Sequence, residues 1–285
     1  MPELPEVQTV VDDLNKKIKG DTIVDFWSEW PKAIKSASST DKFKKEISNR
    51  KIIGARRIGK NIFIDLSGDK TLYIHLKMTG HLLIKSKIED QKLKFFKERV
   101  NQYIRHKFFL KSGRTLEFSD LRKFGKIVLD DTEKINNLKE IKSLGIDALD
   151  AKFTFKKFQE ILNKSSKAKI GIILMDQNRI AGIGNIYRSE ILFESKIKPE
   201  ITVKSISEKD LKGIYLATQK ILKKAIKLRG TSDSDYRDTS GAPGGFQKVL
   251  KVYNREKQKC RSCDTIIVRK TLGQRSVFVC PKCQE

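Results

Sequence analysis

KIIGARRIGKNIFIDLSGDKTLYIHLKMTG, residues 51–80, decides the fold of the first half of the chain. Three short runs lie within it, at 51–58, 61–66 and 71–76. Each is β-branched or alternates apolar with polar residues, and Ser67-Gly68-Asp69 is a turn signal. Working outward, 23–27, 82–84, 108–110, 115–118 and 126–129 repeat the pattern, with Ser112-Gly113 as a further turn. Ahead of them Val7, Val10, Val11, Leu14 and Ile18 mark one face of a helix that Gly20 stops. The expectation is an α+β chain that begins with one helix and a two-layer β sandwich over 2–131. Asp130-Asp131-Thr132-Glu133 is the boundary.

Beyond it the periodicity turns helical, at 153–162, 170–176 and 186–193. Ser207 caps a longer helix with Leu211, Ile214, Ile221, Leu222, Ala225 and Leu228 inward and Gly230 as its stop. Residues 230–245 are rich in Gly, Ser, Asp and Thr, and a loop this long is usually functional or disordered. The helical domain is expected over 132–248, the 230–246 loop included, and a separate terminal module over 249–285.

All four cysteines fall in that module, as Cys260-x2-Cys263 and Cys280-x2-Cys283. Two CxxC pairs sixteen residues apart have the spacing of a zinc ribbon. Four thiolates leave no open position, so this zinc is structural. Arg275, between Gly273-Gln274 and Ser276, falls on the ribbon's hairpin, as a phosphate ligand or as plain surface.

The chain has 285 residues, with 60 Lys plus Arg against 35 acids, a net charge of +25. Nucleic acid is the default partner of such a protein, and an anionic membrane surface is the competitor. The sequence carries no apolar run of membrane-spanning length and no leader pattern at the N-terminus. The location it implies is cytoplasmic and nucleoid-associated.

Chemistry concentrates at the start, Met1-Pro2-Glu3-Leu4-Pro5-Glu6. Removal of Met1 leaves Pro2 with a free secondary amine, whose pKa near ~8 keeps a useful fraction neutral. Such an amine attacks an aldehyde-like carbon to give an iminium, and the adjacent Glu3 is a proton donor. Taken alone, the same residues are also a helix lead-in with Pro5 near its first position. Arg179-Ile180-Ala181-Gly182-Ile183-Gly184-Asn185 is a glycine-bearing turn before a helix, where N–H groups attract phosphate and Asn185 is a contact or an N-cap. Met78 and Phe124 are core residues or wedges for a base stack, with Arg122 beside them. Lys60 alone is a surface lysine.

Together these segments resemble the bifunctional DNA glycosylases of the formamidopyrimidine-DNA glycosylase and endonuclease VIII family. The resemblance rests on MPELPEV, HLKMTG, DLRKFG, AGIGNIY and CxxC…GQRS…CPKCQ, in family order over almost the whole chain. Leu4 and the long loop resemble the formamidopyrimidine branch, where the other branch usually has Gly. The resemblance implies a helix-two-turn-helix in the helical domain. It implies Pro2 as the nucleophile at the sugar C1′, Glu3 as proton donor, and Lys60 and Arg275 as helpers of elimination. Lys60, His75, Asn185 and Arg275 would hold phosphates, and Met78, Arg122 and Phe124 would fill the gap left by the extruded base. The 231–246 loop would close over that base. Before 108–110 the family has a DNA-contacting histidine; here the register gives Arg105 or, with a one-residue slip, His106, and His106 is taken as the DNA contact. Leu121 stands where the family has proline and Lys123 where it has a second arginine. The implied partner is damaged double-stranded DNA, bound by a monomer with one structural Zn2+, no redox cofactor and no membrane. The substrates are oxidised purines, such as 8-oxoguanine and formamidopyrimidines. The rival readings are an enzyme for oxidised pyrimidines and a non-catalytic damaged-DNA-binding protein.

Overall fold

A computed structural model describes residues 1–36, 38–86, 94–233 and 235–285. It divides into two compact units, one of residues 1–142 with 228–247 and one of 143–227 with 248–285. The expected division placed the 230–246 loop with the helical domain; by its contacts it belongs with the first unit.

In the first unit, α1 (Leu4–Lys17) starts at Glu3, with Pro5 in its first turn, and ends before the left-handed Gly20. Its buried face is Val7, Val10, Val11, Leu14 and, just past its end, Ile18, none more than 3% exposed. Each such side chain contributes roughly 1.5–3 kcal/mol by leaving water. The strands are β1 (Thr22–Ser28), β2 (Arg50–Ile58), β3 (Asn61–Leu66), β4 (Lys70–His75), β5 (His81–Ser86), β6 (Ile104–Leu110), β7 (Arg114–Ser119) and β8 (Lys126–Asp131). Among the described residues they form one antiparallel sheet in the order β5-β7-β6-β1-β2-β3-β4-β8. β1 and β2 share only the pairs Thr22↔Lys51 and Ile23↔Arg50, so the sheet is two four-stranded halves joined at a narrow neck. Leu82, Phe108, Leu116 and Phe118 of one half and Ile62, Ile64, Leu72 and Ile127 of the other enter the same core as α1. This is the two-layer sandwich the alternation predicts. The open edge of β2 is covered by a side chain: Asn15 of α1 accepts from the Ala55 N–H and donates to the Ala55 carbonyl, both at 2.8 Å. Three helices escaped the sequence reading: α2 (Thr40–Ile47), α3 (Thr132–Asn136) and α4 (Lys139–Lys142).

The second unit contains β9 (Ile146–Asp147), α5 (Phe155–Asn163), α6 (Ile170–Ile173), β10 (Ile180–Ala181), α7 (Asn185–Glu194), α8 (Glu208–Lys227) and the hairpin β11 (Val268–Leu272) and β12 (Arg275–Val279). The Ser207 hydroxyl accepts from the Asp210 N–H at 3.1 Å, the cap expected for α8. Between α6 and α7, Gln177 holds the turn, accepting from the Gly182 N–H and donating to the Ile183 carbonyl. α7 anchors the approach to the ribbon through buried Glu190, which accepts from the N–H groups of Lys251, Val252 and Tyr253. Burial pushes that carboxyl up, against the three N–H groups that draw it down.

Candidate functional site

The chain's first residues are built into the first unit. Met1 is exposed, whereas Pro2, Glu3 and Glu6 are buried. The Glu6 carboxylate accepts from the Glu3 N–H at 2.8 Å and from the Thr231 N–H at 2.7 Å. It therefore fixes the chain start and the start of the 230–246 loop together. Gly230, at φ +80°, lies flat against it; a Cβ there would stand 2.7 Å from a Glu6 oxygen.

Lys60 occupies the two-residue β2–β3 turn, where the left-handed Gly59 makes the reversal. It is 8% exposed, too buried for the plain surface lysine that its context alone suggests. Arg57, which sequence reasoning passed over, donates to Gln8 of α1 and to the Gly59 carbonyl, both at 2.9 Å. That ties the first turns of the helix to the turn that carries Lys60. His75 ends the neighbouring β4. Burial pushes its imidazole down to about 4, with the Lys77 and Lys60 cations adding to the effect. The ring is neutral at pH 7, and its Nδ1 accepts from the Lys77 N–H at 2.9 Å. The proton then resides on Nε2, a donor suited to a phosphate oxygen.

Met78, Arg122 and Phe124 come together as an exposed group. Met78 and Phe124 are 43% and 53% exposed, which contradicts a core role. An Arg122 Nη lies 3.1 Å from the Met78 sulfur, and its guanidinium stacks 4.7 Å from the Phe124 ring centroid. Buried Asp120 joins the two loops beneath them: one carboxylate oxygen accepts from the Thr79 hydroxyl and the other from the Gly125 N–H. The Thr79 hydroxyl accepts in turn from the Arg122 N–H. Gly80 and Gly125 both press on the ring of Phe118, where a Cβ would approach within 2.6 and 2.4 Å. The group is thus a rigid protrusion of apolar and cationic side chains.

His106 corrects the expectation. It is 1% exposed and faces the core from β6, beside Phe26 and Phe118, with its Nδ1 3.0 Å from the Ser28 hydroxyl. Burial drives its pKa down to about 4, so it is a neutral residue packed in the core. The reason is strand alternation: His106, Phe108 and Leu110 share the inward face. Arg105 is the outward residue of this pair, donating to Glu29 and to the Asp120 carbonyl.

Residues 228–233 and 235–245 are loop, yet densely bonded. Tyr236 joins the sandwich core, the Ile84 N–H donates to the Thr239 carbonyl, and Asn101 donates to the Gly241 carbonyl. Asn101 is fixed in turn by the His81 ring.

In the second unit, Asn185 opens α7 and Arg275 opens β12, and both line one polar cleft with Tyr253, Asn254 and Arg269. What brings them together is Arg188, 1% exposed. It donates to the Asn185 side chain, the Ser276 carbonyl and the Gly171 carbonyl. Nothing in the sequence marks this arginine, since it falls on what reads as the buried face of a helix. The hairpin tip, Gly273-Gln274, has φ of +56° and +60°, the reversal that suits a two-residue hairpin. It leaves Arg275 exposed.

The four cysteine sulfurs lie within 4.8 Å of one another. Cys260–Cys283 is 3.9 Å, Cys263–Cys280 3.4 Å and Cys263–Cys283 3.3 Å. A tetrahedral zinc with 2.3 Å bonds sets its sulfurs about 3.8 Å apart, so the set fits one structural zinc. N–H groups of Ser262 and Cys283 point at the Cys260 and Cys280 sulfurs.

Three family models match the chain: the formamidopyrimidine-DNA glycosylase N-terminal domain over 1–127, the H2TH domain of the same enzymes over 144–237, and a zinc finger found in FPG and IleRS over 257–285. The formamidopyrimidine-DNA glycosylase of Pelotomaculum thermopropionicum is 38% identical over 288 residues, covering 100% of this chain and 99% of that protein. A variant of Lactococcus lactis Fpg in complex with a Fapy-dG containing DNA superposes with a TM-score of 0.86 at 30% identity, over 100% of both chains. Wild-type Lactococcus lactis Fpg with an oxidised pyrimidine containing DNA gives 0.85 at 30% identity, again over 100% of both.

Proposed function

The chain belongs to the formamidopyrimidine-DNA glycosylase family, and on that premise we propose how its residues divide the work. The protein is a base-excision repair enzyme, a DNA glycosylase with abasic-site lyase activity, and its partner is damaged DNA. The substrates are oxidised purines, 8-oxoguanine and formamidopyrimidines, bound by a monomer at the chromosome. Among the described residues no helix is long and apolar enough to cross a membrane.

A damaged base cannot be attacked inside the stack and must leave it. Met78, Arg122 and Phe124 enter the vacancy. Lys60, His75, Asn185 and Arg275 take phosphate oxygens. The N–H of neutral His75 serves without a charge of its own. With Met1 removed, the neutral Pro2 amine attacks C1′ and the C1′–N bond to the base breaks; Glu3 protonates the opening sugar oxygen. Loss of the amine proton leaves an iminium at C1′. The iminium acidifies C2′–H; a base takes that proton and the 3′ phosphate departs as the C2′–C3′ double bond forms. A second elimination releases the 5′ phosphate. Lys60 and Arg275 assist these proton transfers. Cys260, Cys263, Cys280 and Cys283 hold the zinc, which shapes the hairpin that presents Arg275 and takes no part in the bond changes.

What supports the reading above all is the start of the chain. A proline and a carboxylate are buried there; Glu6 bonds the Glu3 N–H and the Thr231 N–H of the loop, and Arg57 bonds Gln8 of α1 to the turn that carries Lys60. The test is borohydride trapping on duplex DNA carrying 8-oxoguanine opposite cytosine, with mass mapping of the adduct. A covalent sugar on Pro2 is the expected result. An adduct elsewhere, or none on either this duplex or an abasic one, refutes it. Because a structural neighbour was solved with an oxidised pyrimidine, a duplex with such a lesion belongs in the same panel. Faster excision there would move the substrate class to pyrimidines.

A further inference from the structure

We propose that Asp13, Arg229 and Asp238 form a positioning triad that presets the 228–247 loop against α1 and thereby governs base excision while leaving abasic-site cleavage alone. This rests on the reading that the loop closes over the extruded base.

The carboxylates of Asp13 on α1 and Asp238 in the loop are 8% and 4% exposed. One guanidinium serves both. Arg229 donates from Nη2 to Asp13 at 2.5 Å and from Nε to Asp238 at 2.7 Å. Buried carboxylates demand such a partner, and removing it leaves both without their shared counter-charge. Asp13 is held below its ordinary value, since the bonds from Arg229 and Thr239 outweigh the upward push of burial. Lys17 stands 3.8 Å from Asp13 as the second cation.

The triad shapes the loop as well as anchoring it. The second Asp238 oxygen accepts from the N–H groups of Ser240 and Ala242 and from the Ser240 hydroxyl, which closes the loop's tip. Fully buried Thr239 donates its hydroxyl to Asp13 and accepts from Lys17, so the tip is bonded to α1 directly. Arg229 itself has φ +62°, a left-handed conformation unfavourable for a residue with a Cβ. Glycine would make that turn without strain. An arginine there is kept in the turn by what its side chain binds.

The helix that Asp13 belongs to begins directly after Pro2 and its N-cap Glu3. Loop and nucleophile thus share one rigid reference, and a base held by the loop meets the amine at a fixed distance. Small misplacements of reacting groups cost large factors in rate. An abasic sugar has no base for the loop to hold, so its cleavage does not depend on the triad.

The discriminating variant is Arg229→Gly, because it relieves the backbone while deleting the charge. Single-turnover excision of 8-oxoguanine should fall about tenfold, with cleavage of a pre-formed abasic site within about twofold of wild type. Asp13→Asn should move the same way. In DNA-free wild type the Gly241 and Ala242 amides should be protected from hydrogen exchange, and Arg229→Gly should release them. Unchanged excision, a parallel fall of both activities, or unprotected amides in the wild type each overturn the triad. A wild-type protein that neither excises nor cleaves refutes the underlying reading, and the triad's role with it.

Discussion

Two stretches of this chain are mostly loop: 228–247 in the first unit and 250–285 in the second. They are held by opposite means. The terminal stretch gathers four thiolates around a metal and packs Val252, Ile267 and Phe278 into a small core with Phe193 of α7. The other, in its described residues, includes no cluster of metal ligands and no core of its own. It inserts Tyr236 into the sandwich and satisfies its polar groups on α1, β5 and the segment around Asn101. A metal-held module has a cross-link within its own residues, in addition to its seat on α7. A loop held on a neighbour's surface is only as firm as that surface, and every bond to it also transmits displacement.

Removal of zinc should have the largest effect. On the order of 10 kcal/mol of metal-binding free energy stands behind a ribbon of this type. Cys260→Ser should abolish zinc binding and weaken DNA affinity at least tenfold, while hydrogen-exchange protection across 228–247 persists. Loss of protection in both stretches would erase the distinction. A zinc-free protein with normal DNA affinity would show the ribbon to be dispensable.

Gly230→Ala attacks the other stretch. The left-handed φ and the contact with Glu6 together should cost about 2 kcal/mol. The melting temperature should drop with zinc content unchanged, and excision should suffer more than DNA binding. A neutral substitution would mean that Glu6 yields easily.

Acidification sharpens the contrast further. All three histidines lie in the first unit, and each is pushed by burial to about 4 from the ordinary 6.5. The unfolded chain takes up protons first as pH falls below 6.5, so stability present above that value is progressively lost down to about pH 4. His81 supports Asn101, which supports Gly241. The protection factor at Gly241, exchange relative to the intrinsic rate at each pH, should therefore fall between pH 6.5 and 5, followed at constant zinc content. A flat profile would mean that another group sets the acid limit.

Arg275→Ala is the mildest test. DNA binding should weaken alike for all sequences, and the slope of log affinity against log salt should flatten by ~1. A loss confined to one sequence would make Arg275 a reader of bases.

These differences also explain what could be read in advance. The strands were legible because core-facing residues recur at period two, and the ribbon because cysteines are rare and their spacing is tight. α2 was not, since Phe43 and Ile47 are its only buried residues and its neighbours are polar. The Met78–Arg122–Phe124 group was legible as residues, but its organiser Asp120 reads as an ordinary turn acid. His106 misled because a one-residue slip in a strand exchanges the faces. The Asp13–Arg229 pair spans 216 residues of sequence, and no local pattern registers a partnership at that range.

Asn15 has a last consequence. Its amide occupies the place of a peptide unit on an adjoining strand, so α1 is seated in the sheet as a key is seated in a lock with fixed notches. Axial drift of the helix would have to break both bonds at once. The head of α1 is therefore indexed to the sheet to within a fraction of a residue. One added residue ahead of Pro2 could not be absorbed by sliding the helix, and retention of Met1 would put the wrong amine at the end of a shaft that does not move.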